Sequence, residues 1–326
     1  MMKSKTIILG TRASELARWQ TNHVADRIKG LKPDVRIEIV TIKTTGDKIL
    51  DSPLSKIGDK GLFTKEIEKA LLDGSIDIAV HSLKDMPTVL PEGLTIGAIT
   101  EREDIRDVFI SHPKKKHRKL LDLPPSASIA TGSLRRKCQL LNRRPDLTIV
   151  DIRGSLGTRK EKLEKSDWDG MILAKAGVTR LGWMELISEV ISPDVLLPAV
   201  GQGALAVEIR AKDGELAEIV NLLNHTETRS ATIAERALLR ALEGGCQIPI
   251  GAYGRIEENV LKLDALVGSL DGSRVVRASI QGVPTENEHL GQQLAELLIA
   301  KGAGNILEEI RGAAKGSHAG QTSVIV

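Results

Sequence analysis

Apolar positions in the first hundred residues recur first at strand spacing and then at helix spacing. Thr6–Leu9 is a short apolar run closed by Gly10 and is predicted as a buried strand. Ser14 then stands as an N-cap for a helix carrying Ala17, Val24 and Ile28 on one face. Val35, Ile37 and Ile39 alternate as a strand requires, and Thr64–Leu72 has helical spacing stopped by Gly74. Ile76, Ile78 and Val80 predict another strand, and Leu94–Ile99 the next. This β-α-β rhythm predicts a mostly parallel sheet.

A second α/β block runs from Asp107 to about Pro198. Its strands are predicted at Val108–Ile110, Ser128–Ala130, Thr148–Ile152 and Met171–Leu173, and Leu205, Val207 and Ile209 predict one more. From about His225 the order changes. A helix with Ala231, Ala234, Leu238 and Leu242 on one face ends at Gly244-Gly245. Strands at Ala252–Ile256, Leu261–Val267 and Val275–Ile280 follow, then a helix over Glu288–Ala300, which suggests a small α+β domain with an antiparallel sheet. Thr44–Phe63 is aperiodic and Gly-containing and reads as a long mobile loop of the kind that forms lids. Gly312–Gln321 reads as a frayed tail.

At 326 residues the chain exceeds what one compact core holds, so two or three domains are expected. Aromatics are only 2%, so those cores must be built from Leu, Ile, Val and Ala. The formal charge of +3 does not call for nucleic acid, and any anion binding must come from local clusters. Cys138 and Cys246 are the only cysteines, which argues against a disulfide scaffold and fits a reducing compartment. The N-terminus lacks a signal-peptide core and no stretch approaches a membrane span, so a cytoplasmic protein is expected. No metal-site spacing and no ATP-binding loop is present.

Three strand-to-helix turns share one design: Gly10-Thr11-Arg12-Ala13-Ser14, Thr131-Gly132-Ser133-Leu134-Arg135-Arg136, and Arg153-Gly154-Ser155-Leu156-Gly157-Thr158-Arg159. Each places glycine, hydroxyls and arginine at a helix N-terminus, where free N–H groups and the dipole favour anions. One such turn is weak evidence; three predict a polyanionic ligand at the carboxyl ends of the strands. His81-Ser82-Leu83-Lys84-Asp85-Met86-Pro87 follows the strand ending at Val80. Drawn as extended chain, Lys84 and Asp85 point opposite ways. By pattern alone Asp85 reads equally as a turn residue or a general acid, and His81 as a buried, hydrogen-bonded side chain. Cys246, after Gly244-Gly245, sits on a predicted turn and reads as either a reactive thiol or a small buried side chain; Cys138 reads as buried.

Taken together with Gly58-Asp59-Lys60-Gly61-Leu62-Phe63, Leu197-Pro198-Ala199-Val200-Gly201-Gln202-Gly203-Ala204 and Gly244-Gly245-Cys246-Gln247, these segments resemble the porphobilinogen deaminase family from Gly10 to about Gly251. The resemblance implies two periplasmic-binding-protein-like lobes (type II) plus a small C-terminal α+β domain. It places them at 1–103 with 200–221, at 104–199, and at 222–326. It implies a dipyrromethane cofactor joined to Cys246 by a thioether and held by Ser82, Lys84, Thr131, Gly132, Ser133, Arg135, Arg136, Arg153 and Gly154. Four porphobilinogen units would add head to tail, each losing ammonia, with Asp85 as the catalytic carboxylate. Substrate carboxylates would meet Arg12, Ser14, Gln20, Arg153, Arg159, Arg180 and Gln202, under a lid bearing Lys56, Lys60 and Phe63. A monomer using neither metal nor membrane is expected. Ser155-Leu156 stands where the family commonly has Asn-Val, which keeps polarity at the first position. The alternative from another class is a non-catalytic anionic solute-binding protein, which needs no reactive cysteine.

Overall fold

The computed structural model describes residues 6–48, 64–243 and 248–319. Its first part contains β1 (Thr6–Thr11), α1 (Glu15–Leu31), β2 (Arg36–Thr41), α2 (Thr45–Lys48), α3 (Lys65–Leu72), β3 (Ile78–Ser82) and β4 (Leu94–Ile99). The second contains β5 (Asp107–Ser111), β6 (Ser128–Ala130), α4 (Leu134–Arg143), β7 (Thr148–Val150), α5 (Leu156–Lys165), β8 (Gly170–Ala174), α6 (Lys175–Arg180) and β9 (Glu189–Ile191). The chain then returns through β10 (Leu205–Arg210) and α7 (Gly214–Asn221). The last part is α8 (Thr226–Ala241), β11 (Ile250–Glu257), β12 (Val260–Gly268), β13 (Val275–Gly282), α9 (Asn287–Leu298) and α10 (Gly304–Ala319).

Two five-stranded sheets share one plan. The first runs β2-β1-β3-β10-β4, with β1 parallel to β2 and β3 and only β10 antiparallel to its neighbours. The second runs β7-β6-β8-β5-β9, with β5 in the equivalent antiparallel place. The inserted strand in each lobe is the one that follows a crossing between lobes. This is the expected type II lobe, and it brings the carboxyl ends of β1, β3, β6, β7 and β8 and the start of β5 to one cleft. The third sheet, β11-β12-β13, is antiparallel throughout.

Burial follows from the strand sequences. In β5 and β8 every residue is buried, because helices cover both faces of the sheet. Phe109, Ile129 and Ile172 pack on one side, and Val108, Ile110, Met171 and Leu173 on the other. Each such side chain contributes roughly 1.5–3 kcal/mol of transfer free energy. The alternation predicted for Val35–Ile39 holds at Val35 and Ile37, half-buried between exposed Arg36 and Glu38, and fails at Ile39. β2 is an edge strand paired only with β1, and Ile39 and Val40 are 40% and 43% exposed.

The tail is also different from expectation. α10 continues to Ala319, where a frayed end was predicted. Gly302, at φ 102°, turns the chain out of α9, and buried Ile306 and Leu307 seat α10 on the third core. Arg311 Nη2 then donates to Leu242 O at 2.7 Å. Within Thr44–Phe63 the aperiodic reading misses α2, and residues 49–63 lie outside the described residues. Among the described residues no helix is long and apolar enough to cross a membrane, and no group of three or more His, Cys, Asp or Glu could hold a metal ion.

Candidate active site

β3 does not stay extended through Lys84. It passes into a single 3₁₀ turn, Leu83–Asp85, anchored by Leu83, which is 1% exposed. Leu83 N donates to Ala204 O at 3.0 Å and Met86 N donates back to Leu83 O at 3.1 Å. With its apolar member buried, the turn leaves Lys84 partly exposed and Asp85 exposed. Behind it, Gln20 Nε2 donates to Ser82 Oγ at 2.8 Å. Lys84 Nζ reaches Gln202 Oε1 at 3.5 Å. Burial takes the Lys84 ammonium down to about 8, opposed most by Asp85 and reinforced by Arg136. His81 is buried as expected, its Nε2 lying 3.0 Å from Glu208 Oε2.

Across the cleft, Ser133 caps α4 by accepting from Arg136 N at 3.4 Å, and Ser155 caps α5 by accepting from Thr158 N at 3.2 Å. Ser14 caps α1 through Ala17 N at 3.3 Å, in the same turn as Arg12. Each capping hydroxyl accepts from its helix, and Ser155 Oγ also lies 3.0 Å from Thr158 Oγ1. Buried Thr131 accepts from Ser133 N at 3.3 Å. Gly132 lets two of these turns touch: a Cβ there would lie 2.7 Å from Ile152 O. Gly154, at φ 114°, sits in the left-handed region that the third turn needs.

The arginines divide into two groups. Arg135 Nη1 lies 2.9 Å from Asp107 Oδ2, and Arg136 Nη2 lies 2.8 Å from Asp107 Oδ1. Arg135 Nη1 also donates to Leu197 O, and Arg136 Nη1 to Ile172 O. These guanidiniums are thus oriented from within, and their pairing holds the Asp107 carboxyl far below the usual range against the effect of burial. Arg153 is different: it is 9% exposed and its Nη1 has no hydrogen-bond partner. Arg159 donates through Nε to Gly154 O at 2.9 Å. Burial lowers it to about 10, with Arg136 acting the same way and Asp85 and Asp151 opposing. Asp85 of one lobe is therefore within electrostatic reach of Arg159 of the other.

The returning chain closes the base of the cleft. Gln202 is 1% exposed, and its Nε2 donates to Ile105 O at 2.7 Å and Asp107 Oδ1 at 2.9 Å. Its amide thereby bridges the Asp107 cluster and Lys84. Arg180 Nη2 donates to Gly203 O at 2.7 Å, and its guanidinium stacks 5.7 Å from the Trp19 ring. Sequence reasoning missed Asp107, whose signal was an acid opening an otherwise apolar strand. It also missed the Arg102–Glu235 pair at 2.6 Å and Arg236, for which no local pattern exists. Cys138 is buried, its thiol pushed up to about 12 by burial. Cys246, Lys56, Lys60 and Phe63 lie outside the described residues.

Residues 7–218 match the family model described as porphobilinogen deaminase, dipyromethane cofactor binding domain, and residues 230–300 match that of the porphobilinogen deaminase C-terminal domain. The porphobilinogen deaminase of Carboxydothermus hydrogenoformans is 55% identical over 307 residues, covering 94% of this chain and 98% of that protein. That of Desulforamulus reducens is 53% identical over 310 residues, covering 95% and 99%. Among solved structures, the methionine-binding protein MetQ covers 71% of this chain and 93% of its own, at 14% identity and a TM-score of 0.42. The comparisons favour the deaminase reading over a solute-binding protein, and with relatives this similar over nearly its whole length the chain belongs to the porphobilinogen deaminase family.

Proposed function

We propose that this chain joins four porphobilinogen units into linear hydroxymethylbilane, building on a dipyrromethane attached through Cys246. One observation carries this reading: capped, arginine-bearing helix N-termini and Lys84 gather around an exposed carboxylate, Asp85. The residues fit a dipyrromethane, whose rings each carry an acetate and a propionate. Arg153 Nη1, Arg135 Nε and Arg136 Nε are buried donors without partners, as a site for carboxylates requires. Lys84, Ser82, Thr131, Ser133 and Gly154 would complete that hold. When bound, the dipyrromethane supplies the pyrrole α-carbon to which the first unit is joined.

Each addition breaks the C–N bond of a substrate aminomethyl group and forms one C–C bond. Asp85 hands a proton to the amine, which leaves as ammonia, and its carboxylate then stabilises the methylene-pyrrolenine cation left on the substrate. After coupling, the α-carbon loses its proton to the same carboxylate. Lys84, Arg12, Arg153, Arg159 and Arg180 balance the carboxylates, and Asp85 offsets their charge where cations form. Release would break the C–C bond between the first unit's methylene and the tethered pyrrole, whose α-carbon regains a proton, and water would add to that methylene to give the hydroxymethyl group. The reading assigns catalysis to the unit 1–103 with 200–221, anion holding to 104–199, and attachment to 222–326. It is tested by incubating the protein with porphobilinogen and following ammonia release and product, with intact mass measured before and after. Holoprotein should exceed the sequence mass by one dipyrromethane, Cys246→Ser should lack that addition, and Cys138→Ser should keep it. An adduct on Cys138, or no turnover by wild-type holoprotein, overturns the reading.

A further inference from the structure

Helix α8 carries a buried arginine for which the reaction above has no use. Arg236 is 9% exposed, yet no carboxylate among the described residues pairs with it. Its Nη2 donates to Pro87 O at 2.6 Å and its Nη1 reaches Met86 O at 3.4 Å. Burial lowers it to about 10, with Arg240 acting in the same direction. A buried guanidinium without a counter-ion is a poor stabiliser, since an apolar side chain of similar size fills the same space without desolvating a charge. Its donors do meet two successive carbonyls immediately after the turn that presents Asp85.

That turn is otherwise held from one side. Leu83 N bonds to Ala204 O, and Gly201, at φ 72°, allows the crossing chain to lie against Leu83. The neighbouring residue of α8, Glu235, grips that same crossing: its Oε2 accepts from Gly201 N at 2.6 Å while Arg102 Nη1 lies 2.6 Å from its Oε1. Consecutive residues of one helix therefore reach the two flanks of the turn. The helix ends at Ala241, five residues before Cys246.

We infer that Arg236 is a positioning residue. By clamping the Met86 and Pro87 carbonyls it fixes the Asp85 turn relative to the domain to which the growing chain is tethered. The inference rests on the proposed function, and its test separates the two. Arg236 spends its Nη donors on the Met86 and Pro87 carbonyls, so cofactor occupancy and KM should be preserved while kcat falls.

The experiment uses holoenzyme of wild type, Arg236→Met, Arg236→Lys and Arg236→Gln, with occupancy checked by intact mass. Failure of wild-type turnover counts against the proposed function alone. Amide hydrogen exchange over residues 83–88, which needs no turnover, still decides the clamp. For Arg236→Met, kcat should drop ~10- to 100-fold, the range a displacement of about 1 Å produces, with KM within about threefold. Exchange over 83–88 should rise without a matching rise in the second sheet. Arg236→Lys, which can reach one carbonyl at a time, should recover part of kcat and part of the protection. The inference is overturned if Arg236→Met keeps kcat within twofold and leaves exchange over 83–88 unchanged, the pattern of a merely structural arginine. It is equally overturned if lowered occupancy accounts for the whole loss of rate. Should Arg236→Met not fold, Lys and Gln carry the same readouts.

Discussion

At the end of β6 the charges are partnered before any ligand arrives, whereas at the end of β3 the carboxylate stands open. Arg135 and Arg136 share the Asp107 carboxylate at 2.9 and 2.8 Å, deep in the second lobe. Asp85 is exposed on a one-turn helix whose apolar neighbours alone are buried. On the proposed function the contrast reflects two tasks. Holding many carboxylates through successive additions needs fixed donors, and internal pairing fixes a guanidinium at the expense of part of its charge. Stabilising a transient cation needs a carboxylate that is not already neutralised.

The sharpest way to break this comparison is to remove the open charge. Asp85→Asn keeps shape and should lower the single-turnover rate by ~10²–10⁴, the value of positioned acid–base help. Holoenzyme with equal cofactor occupancy is the material for this measurement. A rate within about threefold of wild type would mean that Asp85 is not the open charge that matters. Removing the committed charge should act on folding. Asp107→Asn leaves two buried guanidiniums uncompensated and should destabilise by about 3–5 kcal/mol in denaturant unfolding. A loss under about 1 kcal/mol would show instead that Asp107 is not what compensates the two arginines.

A third measurement sharpens the contrast through pH. Burial favours neutral Lys84, so its proton is lost as pH rises through about 8 and its hold on carboxylates is lost on the alkaline side. The profile of kcat/KM reports the free enzyme, and should fall by about tenfold per pH unit above that point. Lys84→Arg should carry the fall to higher pH; an unmoved alkaline limb would assign it to another group. The smallest effect is expected at the α5 cap. Ser155→Ala removes the acceptor for Thr158 N and should cost about 1 kcal/mol of stability. Because the hydroxyl caps a helix in the lobe to which the proposed function assigns anion holding, its loss should raise KM more than it lowers kcat.

Much of this was legible in one dimension. Strand β6 falls where its apolar run begins and ends, because a parallel strand inside the sheet leaves little else for such a run to be, and β4 fills its predicted run although it is a half-buried edge strand antiparallel to β10. The capping role of Ser14 follows from a local hydrogen bond over three residues. The Lys84–Asp85 geometry was not legible. Extended chain and 3₁₀ turn satisfy the same tetrapeptide, and burial of Leu83 against Ala204 and Gly201 decides between them.

The amino-acid sequence by itself determined the two α/β rhythms, the glycine-and-arginine turns, the antiparallel third sheet and the family. Each of these is written in short-range spacing or in contiguous motifs. Only the tertiary structure decided which arginines are already paired, that Gln202 bridges Asp107 and Lys84, and that Arg236 lies beneath the Asp85 turn. Those pairs are separated by 28 residues (Arg135 and Asp107) to 150 residues (Arg236 and Met86) in the chain. No periodicity reports contacts of that range, because they arise only when segments distant in the chain pack against one another.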